Sequence, residues 1–551
     1  MKKLFALHFS LFYGLLVLAQ TNLPKNPVGQ VRSGEFVVTK KLSGDLILQE
    51  RIFSAADDSV SIDFKDKGEI KVEDIDFNLE KKEDTFQLAL PTSEVVRFSE
   101  TGSEAMIGFG SYLSPTFSLT HFNRRGPWRY GAQYFNESYL RGPVRGEESA
   151  QAYNRISLHA DRQFERSSWE SDLAYDRLGY FFYGVPDSVG NNDAVTERSH
   201  WNVIHLRTRW QSHFDRWNYS ITPVLAFAEN GINGGESFGD EVSFGWKGQA
   251  NLFLRGNESI SLKTDFTFSR SNWSVSRQRF VNSVTPSYQT FINDIALSVG
   301  LQFNQIEDDI EDKIQVGAVM RATVPLDEHW SLSLGLDNEV SINPVVEVYH
   351  GNNFLSDSLD LRSTITNTPF YAQIDGIVFR GFALNVRAAL RNIENARFFV
   401  PDSRDPARFV ILYDSEGLTS WNYSFGFTWN IQKDWRMESS YNFFDNTTES
   451  IESDWYYPAS SLQVSMIKAW NKWTISSSME TIAGLKAPVT THTEPVELPT
   501  IVKIDGKVIY NFNPFWTTEF SVQNALDRNY EYFLGYPSRG AVLRAVVRVT
   551  F

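Results

Sequence analysis

The last stretch of the chain alternates without a break. From Ala541 to Phe551 one parity holds Ala541, Leu543, Ala545, Val547, Val549 and Phe551, and the other holds Val542, Arg544, Val546, Arg548 and Thr550. One face is apolar and the other carries two arginines, the two-residue period of a strand with unlike faces. The same split sets Trp516, Thr518, Phe520 and Val522 against Thr517, Glu519, Ser521 and Gln523. It sets Tyr423, Phe425, Phe427 and Trp429 against Asn422, Ser424, Gly426 and Thr428. It also opposes Phe382, Leu384, Val386, Ala388 and Leu390 to Ala383, Asn385, Arg387, Ala389 and Arg391. These strands run for about 10 to 14 residues, beyond the usual mode of about 5–6 and long enough to cross a bilayer at a tilt.

A second regularity lies in the tryptophans. Trp128, Trp169, Trp217, Trp330, Trp435, Trp473 and Trp516 each follow a short polar turn and open an alternating stretch. The closest of them recur about every 40 residues, a period that a propeller would also show. Alternation over whole strands, with one face wholly apolar, argues instead for a wall between lipid and water. Arg544 and Arg548 on a lipid face would cost about 2–4 kcal/mol each near the midplane, so they must face a lumen. In hydrocarbon only a closed barrel satisfies every strand hydrogen bond. The rings at the turns then form the interfacial girdle where indoles prefer to lie.

The fold predicted is an all-β, transmembrane, antiparallel up-and-down β-barrel. Outward strands are placed near Glu104, Trp128, Trp169, Trp217, Glu258, Ile295, Trp330, Phe382, Trp435, Trp473 and Trp516. With a returning partner for each, the count is about 22. The segment 271–292 alternates poorly, and losing it would leave about 20. Long external loops are expected near 185–199, 344–366, 396–416 and 445–458.

The start of the chain reads differently. Lys2 and Lys3 precede an apolar run from Leu4 to Ala19, the pattern of a secretory signal peptide over 1–19. Residues 20–103 are expected to be a short charged segment, periplasmic or folded into the lumen as a reduced plug. The barrel is assigned to 104–551. After Ala19 no apolar run is long enough for a helical span.

Composition narrows the chemistry. The chain has no cysteine, so disulfides, thiolate metal sites and Cys nucleophiles are excluded. Its 52 Lys and Arg against 67 Asp and Glu give a net charge of −15, unsuited to coating nucleic acid. Nine histidines are scattered: His200 and His205 fall on opposite faces of one strand, and His213 and His329 sit at turns, so no metal site is expected. Glu307-Asp308-Asp309 with Glu311-Asp312 lacks the spacing and glycine of a calcium loop and reads as a solvated hairpin tip. Ser269-Arg270-Ser271-Asn272-Trp273 resembles a fragment of outer-membrane phospholipase, but no His partner or glycine-rich run accompanies it. No enzyme is expected, and no cofactor. Tyr180-Phe181-Phe182-Tyr183 and Trp455-Tyr456-Tyr457 are assigned to the outer aromatic girdle, with stacking on a sugar or peptide ligand as the alternative.

One resemblance sharpens the picture. Val522-Gln523-Asn524-Ala525-Leu526-Asp527-Arg528-Asn529-Tyr530, then Gly535-Tyr536-Pro537-Ser538-Arg539-Gly540 and a terminal strand ending in Phe551, resembles the end of TonB-dependent receptors. The resemblance implies a barrel of about 22 strands in the outer membrane of a Gram-negative bacterium, engaged in solute transport. It implies outer-membrane lipid as a neighbour and recognition of the Phe551 strand by the barrel assembly machinery. The sequence departs from the family ahead of the barrel, where residues 20–103 are too few for the family's globular plug and show no clear energy-coupling box. Coupling to TonB is therefore left undecided. A barrel this wide needs a seal: residues 20–103, infolded loops, or a plug or lipoprotein partner. The alternative function is a plugless barrel that serves as a structural or partner-binding unit of an outer-membrane assembly. No ligand-binding residue can be singled out.

Overall fold

The computed structural model describes residues 102–184, 197–232, 237–254, 258–310, 312–432, 434–488 and 495–551. The segments expected as a signal peptide over 1–19 and as a charged head over 20–103 lie, except for Gly102 and Ser103, outside the described residues.

Twenty-two antiparallel strands form one sheet, and it closes on itself. The first strand, Gly102–Gly110, pairs with Thr116–Arg125 on one side and with the last strand, Val542–Thr550, on the other. Closure leaves no sheet edge, which is what allows strands to sit in lipid. No helix among the described residues is long and apolar enough to cross a membrane.

Outward strands begin at Trp128, Trp217, Ile295, Trp330, Phe382, Trp435, Trp473 and Trp516, as the turn signals predict. Those expected near Glu104, Trp169 and Glu258 begin at Gly102, Ser167 and Ser259. The weakly alternating segment is a full strand, Ser276–Ile292, paired with Ser259–Asn272 and with Ile295–Asp308. Its pattern is blurred for a physical reason. Val281 is apolar yet faces inward, because Ile342, at the start of an infolded loop, and Ile365, at the start of the strand that follows that loop, cover it.

The pleat sorts the residues as the sequence predicts. On the last strand Leu543 and Val547 are exposed on the outer face, whereas Val542 and Val546 are buried on the inner one. Arg544 reaches Glu137 and donates to the Tyr139 hydroxyl at 2.9 Å, and Arg548 lies 3.5 Å from Glu104, so both arginines stay inside. Short turns close one end. Asn293 and Asn471 take left-handed backbone there (φ 54° and 51°), which suits two-residue hairpins. Rings cluster at the same end: Trp128 meets Trp169 edge-on at 5.5 Å, and Phe214 stacks on Trp217 at 4.6 Å. Cations lean over this girdle, Arg162 at 5.0 Å above Trp128 and Lys468 at 4.9 Å above Trp435, their stems in the apolar layer.

Candidate functional site

Of the expected long loops, most of 185–199 lies outside the described residues. Those at 344–366, 396–416 and 445–458 occupy the opposite end, together with the last loop before Val542, and they do not project freely. They fold inward. Between the strands ending at Ser341 and starting at Thr364 the chain turns into a short helix, Val345–Gly351, begun by Pro344. Proline suits a helix start because its missing N–H would have no partner there. Val345, Val348 and Tyr349 are buried at helical spacing, and Tyr349 lies 4.7 Å from the Trp201 ring. Trp201 belongs to the lumen face of Arg198–His213, whose other face exposes Ile204 and Trp210. The helix therefore sits inside the barrel mouth.

The remaining loops complete an apolar cap. Phe398 and Phe409 come from a two-stranded hairpin, Ala396–Pro401 with Phe409–Asp414. Phe533 and Tyr536 come from the last loop, Phe354 from the helix loop, and Trp455 and Tyr456 from the loop after Thr448. Phe354 stacks on Tyr536 at 3.7 Å, and Phe409 meets Phe533 at 5.1 Å. The same cluster touches Leu178 and Trp201 on one wall and Leu418 and Ile482 on far strands, so it spans the lumen.

This overturns the girdle assignment for Tyr180, Phe182 and Tyr183 and for Trp455-Tyr456-Tyr457, whereas Phe181, on the other parity, stays on the outer face beneath Arg198. Tyr180, Phe182, Trp455 and Tyr456 are buried in the cap. The Tyr180 hydroxyl accepts from Trp201 Nε1 at 3.1 Å and from Asn230 Nδ2 at 3.2 Å. Local pattern could not show this, since rings at a strand end look alike whether the following loop turns outward or inward.

Polar side chains rivet the cap to the wall. Arg279 and Glu241, both lumen-facing and fully buried, form an ion pair at 2.5 Å. Arg279 also donates to Ser269 Oγ at 3.2 Å and to the carbonyls of Ile342 and Asn343. Glu241 accepts the Val345 amide at 2.8 Å. One buried charge pair thus fixes both the entry and the helix start of the infolded loop. A second rivet is Asp414, which accepts from the Glu416, Gly417 and Glu449 amides at 3.1 Å each and from Ser450 Oγ at 2.5 Å. Burial alone would raise its pKa, but these hydrogen bonds outweigh it and hold the carboxylate below its ordinary range. A third joins two loops: Asp402 accepts from Ser356 Oγ at 2.5 Å and from Arg404 at 2.9 Å, and Arg404 reaches Asp357 at 2.7 Å.

The resemblance motif is part of the same construction. Asn524 and Asp527 take left-handed backbone (φ 50° and 51°). Asn524 Nδ2 donates to the carbonyls of Arg528 and Arg539 at 2.8 and 2.9 Å, and Asp527 Oδ1 accepts the Ala541 amide at 2.7 Å. These contacts clamp the base of the last loop and aim Tyr536 into the cap.

Below the helix the lumen wall is charged. His350 packs deep in the mouth near His205, Asp176 and Arg155, and burial pushes its pKa down to about 4 against the pull of Asp176. Glu347, one turn earlier, is pushed up by burial, with Arg397 and Lys247 opposing. His205 faces the lumen and His200 the outside, as their parity predicts; His213 ends its strand and His329 lies in a turn. His159, Glu170 and Asp172 come close enough to suggest a metal site. The His159 ring, however, meets Asp172 at 2.6 Å through Nδ1 and Asp161 at 2.9 Å through Nε2, so neither nitrogen is left for an ion. Ser269 and Ser271 are buried on the lumen face, and Ser269 serves Arg279. Glu307, Asp308, Asp309 and Asp312 flank a hairpin tip, where Asp309 accepts the Gln278 amide at 2.8 Å; Glu311 lies outside the described residues.

The residues that build the cap, above all Glu241, Arg279, Trp201 and Tyr536, were not legible as a site beforehand. One signal was present. Val345, Val348 and Tyr349 follow a proline at helical spacing inside a segment expected to be loop.

No protein-family model matches the sequence, and no curated protein does. Solved structures do match. The FrpB iron transporter from Neisseria meningitidis superposes with a TM-score of 0.66 at 11% identity, over 83% of this chain and 82% of that one. The siderophore receptor PirA from Acinetobacter baumannii gives 0.62 at 10% identity, over 84% and 81%. FpvA from Pseudomonas aeruginosa, bound to pyoverdine, gives 0.61 at 11% identity, over 82% and 72%. The fold is that of a TonB-dependent receptor barrel. Within the described residues the barrel's own loops build an apolar core across the mouth.

Proposed function

We propose that the chain is an outer-membrane transport barrel of a Gram-negative bacterium, in which the infolded loops act as the outer gate for a solute. The observation that carries this is the cap: an apolar cluster spanning the lumen, riveted to the wall by Arg279 and Glu241. Barrels of 16–18 strands already leave an aqueous channel, and those of 22 are normally plugged. A cap with a buried core supplies a seal on the outer side, and its few polar rivets are the points at which a ligand could release it. Residues 1–19 are the signal peptide and residues 20–103 a reduced plug or partner-binding segment in this reading. The strand ending at the exposed Phe551 is the one the assembly machinery would recognise. The names of the similar structures speak of iron and siderophores; they support transport as a class and do not set the solute here.

The test is conductance in planar bilayers. The purified mature protein should give a closed baseline, and Arg279→Met should produce opening events. A large steady conductance from the intact protein would mean that the loops do not seal the barrel, and the search would move to a partner.

A further inference from the structure

The outer face of the barrel is not uniform. Six neighbouring strands, Gln151–Gln163, Ser167–Phe181, Arg198–His213, Trp217–Ile232, Ser237–Phe253 and Ser259–Asn272, carry a polar row near their loop ends. The register places Asn154 beside Arg177, Arg177 beside Asn202 and Asn202 beside Glu229, then Glu229 beside Asp240 and Asp240 beside Asn272. The row lies on the lipid side, because the same parity exposes Ile156, Leu173, Ile204, Leu225 and Val242 closer to the turns. Arg198 stands two pleats above Asn202, and Arg270 pairs with Val242 just below the row.

Arg177, Arg198 and Arg270 are exposed. Among the described residues neither Arg177 nor Arg270 enters an ion pair, and Arg198 only overlies the Phe181 ring at 6.0 Å. Bare guanidinium groups above an apolar wall have no role in holding the barrel together. Beyond the arc the corresponding level of the lipid face carries carboxylates instead, Glu307 beside Asp312 two and three strands on and Asp445 beside Trp421 on the far side. The positive rim is therefore local.

We propose that this arc binds a phosphorylated glycolipid of the outer leaflet, with acyl chains along Ile156, Leu173, Ile204 and Leu225 and phosphates on the arginines. Arginine presents a planar fork that matches phosphate oxygens in pairs. Glu229 and Asp240 divide the arc into two cationic poles, Arg177 with Arg198 on one side and Arg270 on the other. The poles are four strand spacings apart, about 19 Å along the row, a gap that two long side chains leaning inward reduce to the span of a headgroup with two separated phosphates. Asn202 places an amide between them for a sugar hydroxyl, and Asn154 flanks the first pole, while the Asn272 amide holds Asp240 at 3.2 Å. A phospholipid with a single phosphate would satisfy one pole only. The proposal rests on the outer-membrane reading, since it needs the loop end of the barrel to meet the outer leaflet.

The experiment uses the full mature protein in phosphatidylethanolamine nanodiscs doped with bis-phosphorylated lipid A or, separately, with phosphatidylglycerol at equal charge. Native mass spectrometry counts the lipid retained. The intact protein should keep lipid A preferentially, and the pair Arg177→Glu and Arg270→Glu should lower retention about tenfold or more. The pair Arg162→Glu and Lys468→Glu, at the opposite rim, should leave lipid A retention unchanged. Heat-modifiable gel mobility reports whether each barrel has folded, and Arg177→Gln with Arg270→Gln replaces the glutamate pair if it has not. Equal lipid A retention by the arginine variant, or equal retention of phosphatidylglycerol by the intact protein, would overturn the site. Conductance of the same preparations judges the transport reading independently, so a barrel that gates but keeps no lipid A sinks this proposal alone.

Discussion

Trp128 and Trp201 are both tryptophans on strands of the same wall, and they live in different chemistries. Trp128 is 39% exposed at the turn end, with Arg162 leaning over it and Trp169 at its edge. Trp201 is 1% exposed, roofed by Tyr349 and bonded to Tyr180. The difference runs through the whole molecule. The wall is held by backbone hydrogen bonds between neighbouring strands, and its outer rings rest against lipid. The cap is held by side chains brought together from loops that are far apart in sequence, such as Phe354 on Tyr536 and Arg279 on Ile342 and Asn343. A wall built from local register tolerates the loss of any one inward side chain. A cap built from a few buried polar rivets should fail when one of them is removed.

That contrast can be broken first at the ion pair. Arg279→Met or Glu241→Gln leaves one buried charge uncompensated and should cost about 3–5 kcal/mol, felt by the cap. Protease cleavage within 342–363 should rise sharply while heat-modifiable mobility of the barrel stays intact. Replacing both residues by methionine should do much less harm than either single change, because no buried charge remains; equal damage would deny the clamp. On the wall, Leu301→Arg places a cation on an exposed lipid-facing position at mid-strand and should cost about 2–4 kcal/mol of barrel stability in urea unfolding from bilayers. Ser478→Arg, on the inner face beside Asp505, should stay within about 0.5 kcal/mol, and a large loss there would contradict the assigned pleat.

Asp414→Asn keeps the shape and removes the charge, which should weaken its hydrogen bonds by about 1.5–3 kcal/mol and loosen the loop after Thr448. Hydrogen exchange of the Glu449 and Ser450 amides would show it. The smallest effect is on pH. His350 stays neutral in the fold down to about 4, whereas the unfolded ring gains its proton at about 6.5. The unfolded chain then binds more protons, so cap stability falls as pH drops from about 6.5 toward 4. His350→Gln should flatten that slope. Asp414 adds a further loss below the ordinary carboxylate range, because its folded pKa is depressed. A cap equally protected from protease at pH 7 and pH 4.5 would contradict the burial of His350.

Much of the wall was legible in the chain. The two-residue period, the arginines at 544 and 548 and the rings after short turns require a closed barrel with a definite inner face. Eight outward strands start at the expected residue. The blurred segment 271–292 was hard to read for the same reason that the cap was invisible: Val281 is apolar because residues distant in sequence, Ile342 and Ile365, cover it. The rings at Tyr180 and Trp455 misled in the same way, since girdle and cap ask for the same side chains.

The sequence by itself therefore determined the barrel, its pleat, its turn end and the places of three long loops, at 344–366, 396–416 and 445–458, because each follows from neighbours one or two residues apart and from the cost of charge in lipid. Only the tertiary structure decided that those loops turn inward, that Arg279 and Glu241 meet, and that a helix stands in the mouth. Those contacts join residues separated by tens to hundreds of positions, and no local period records which distant side chain will lie opposite.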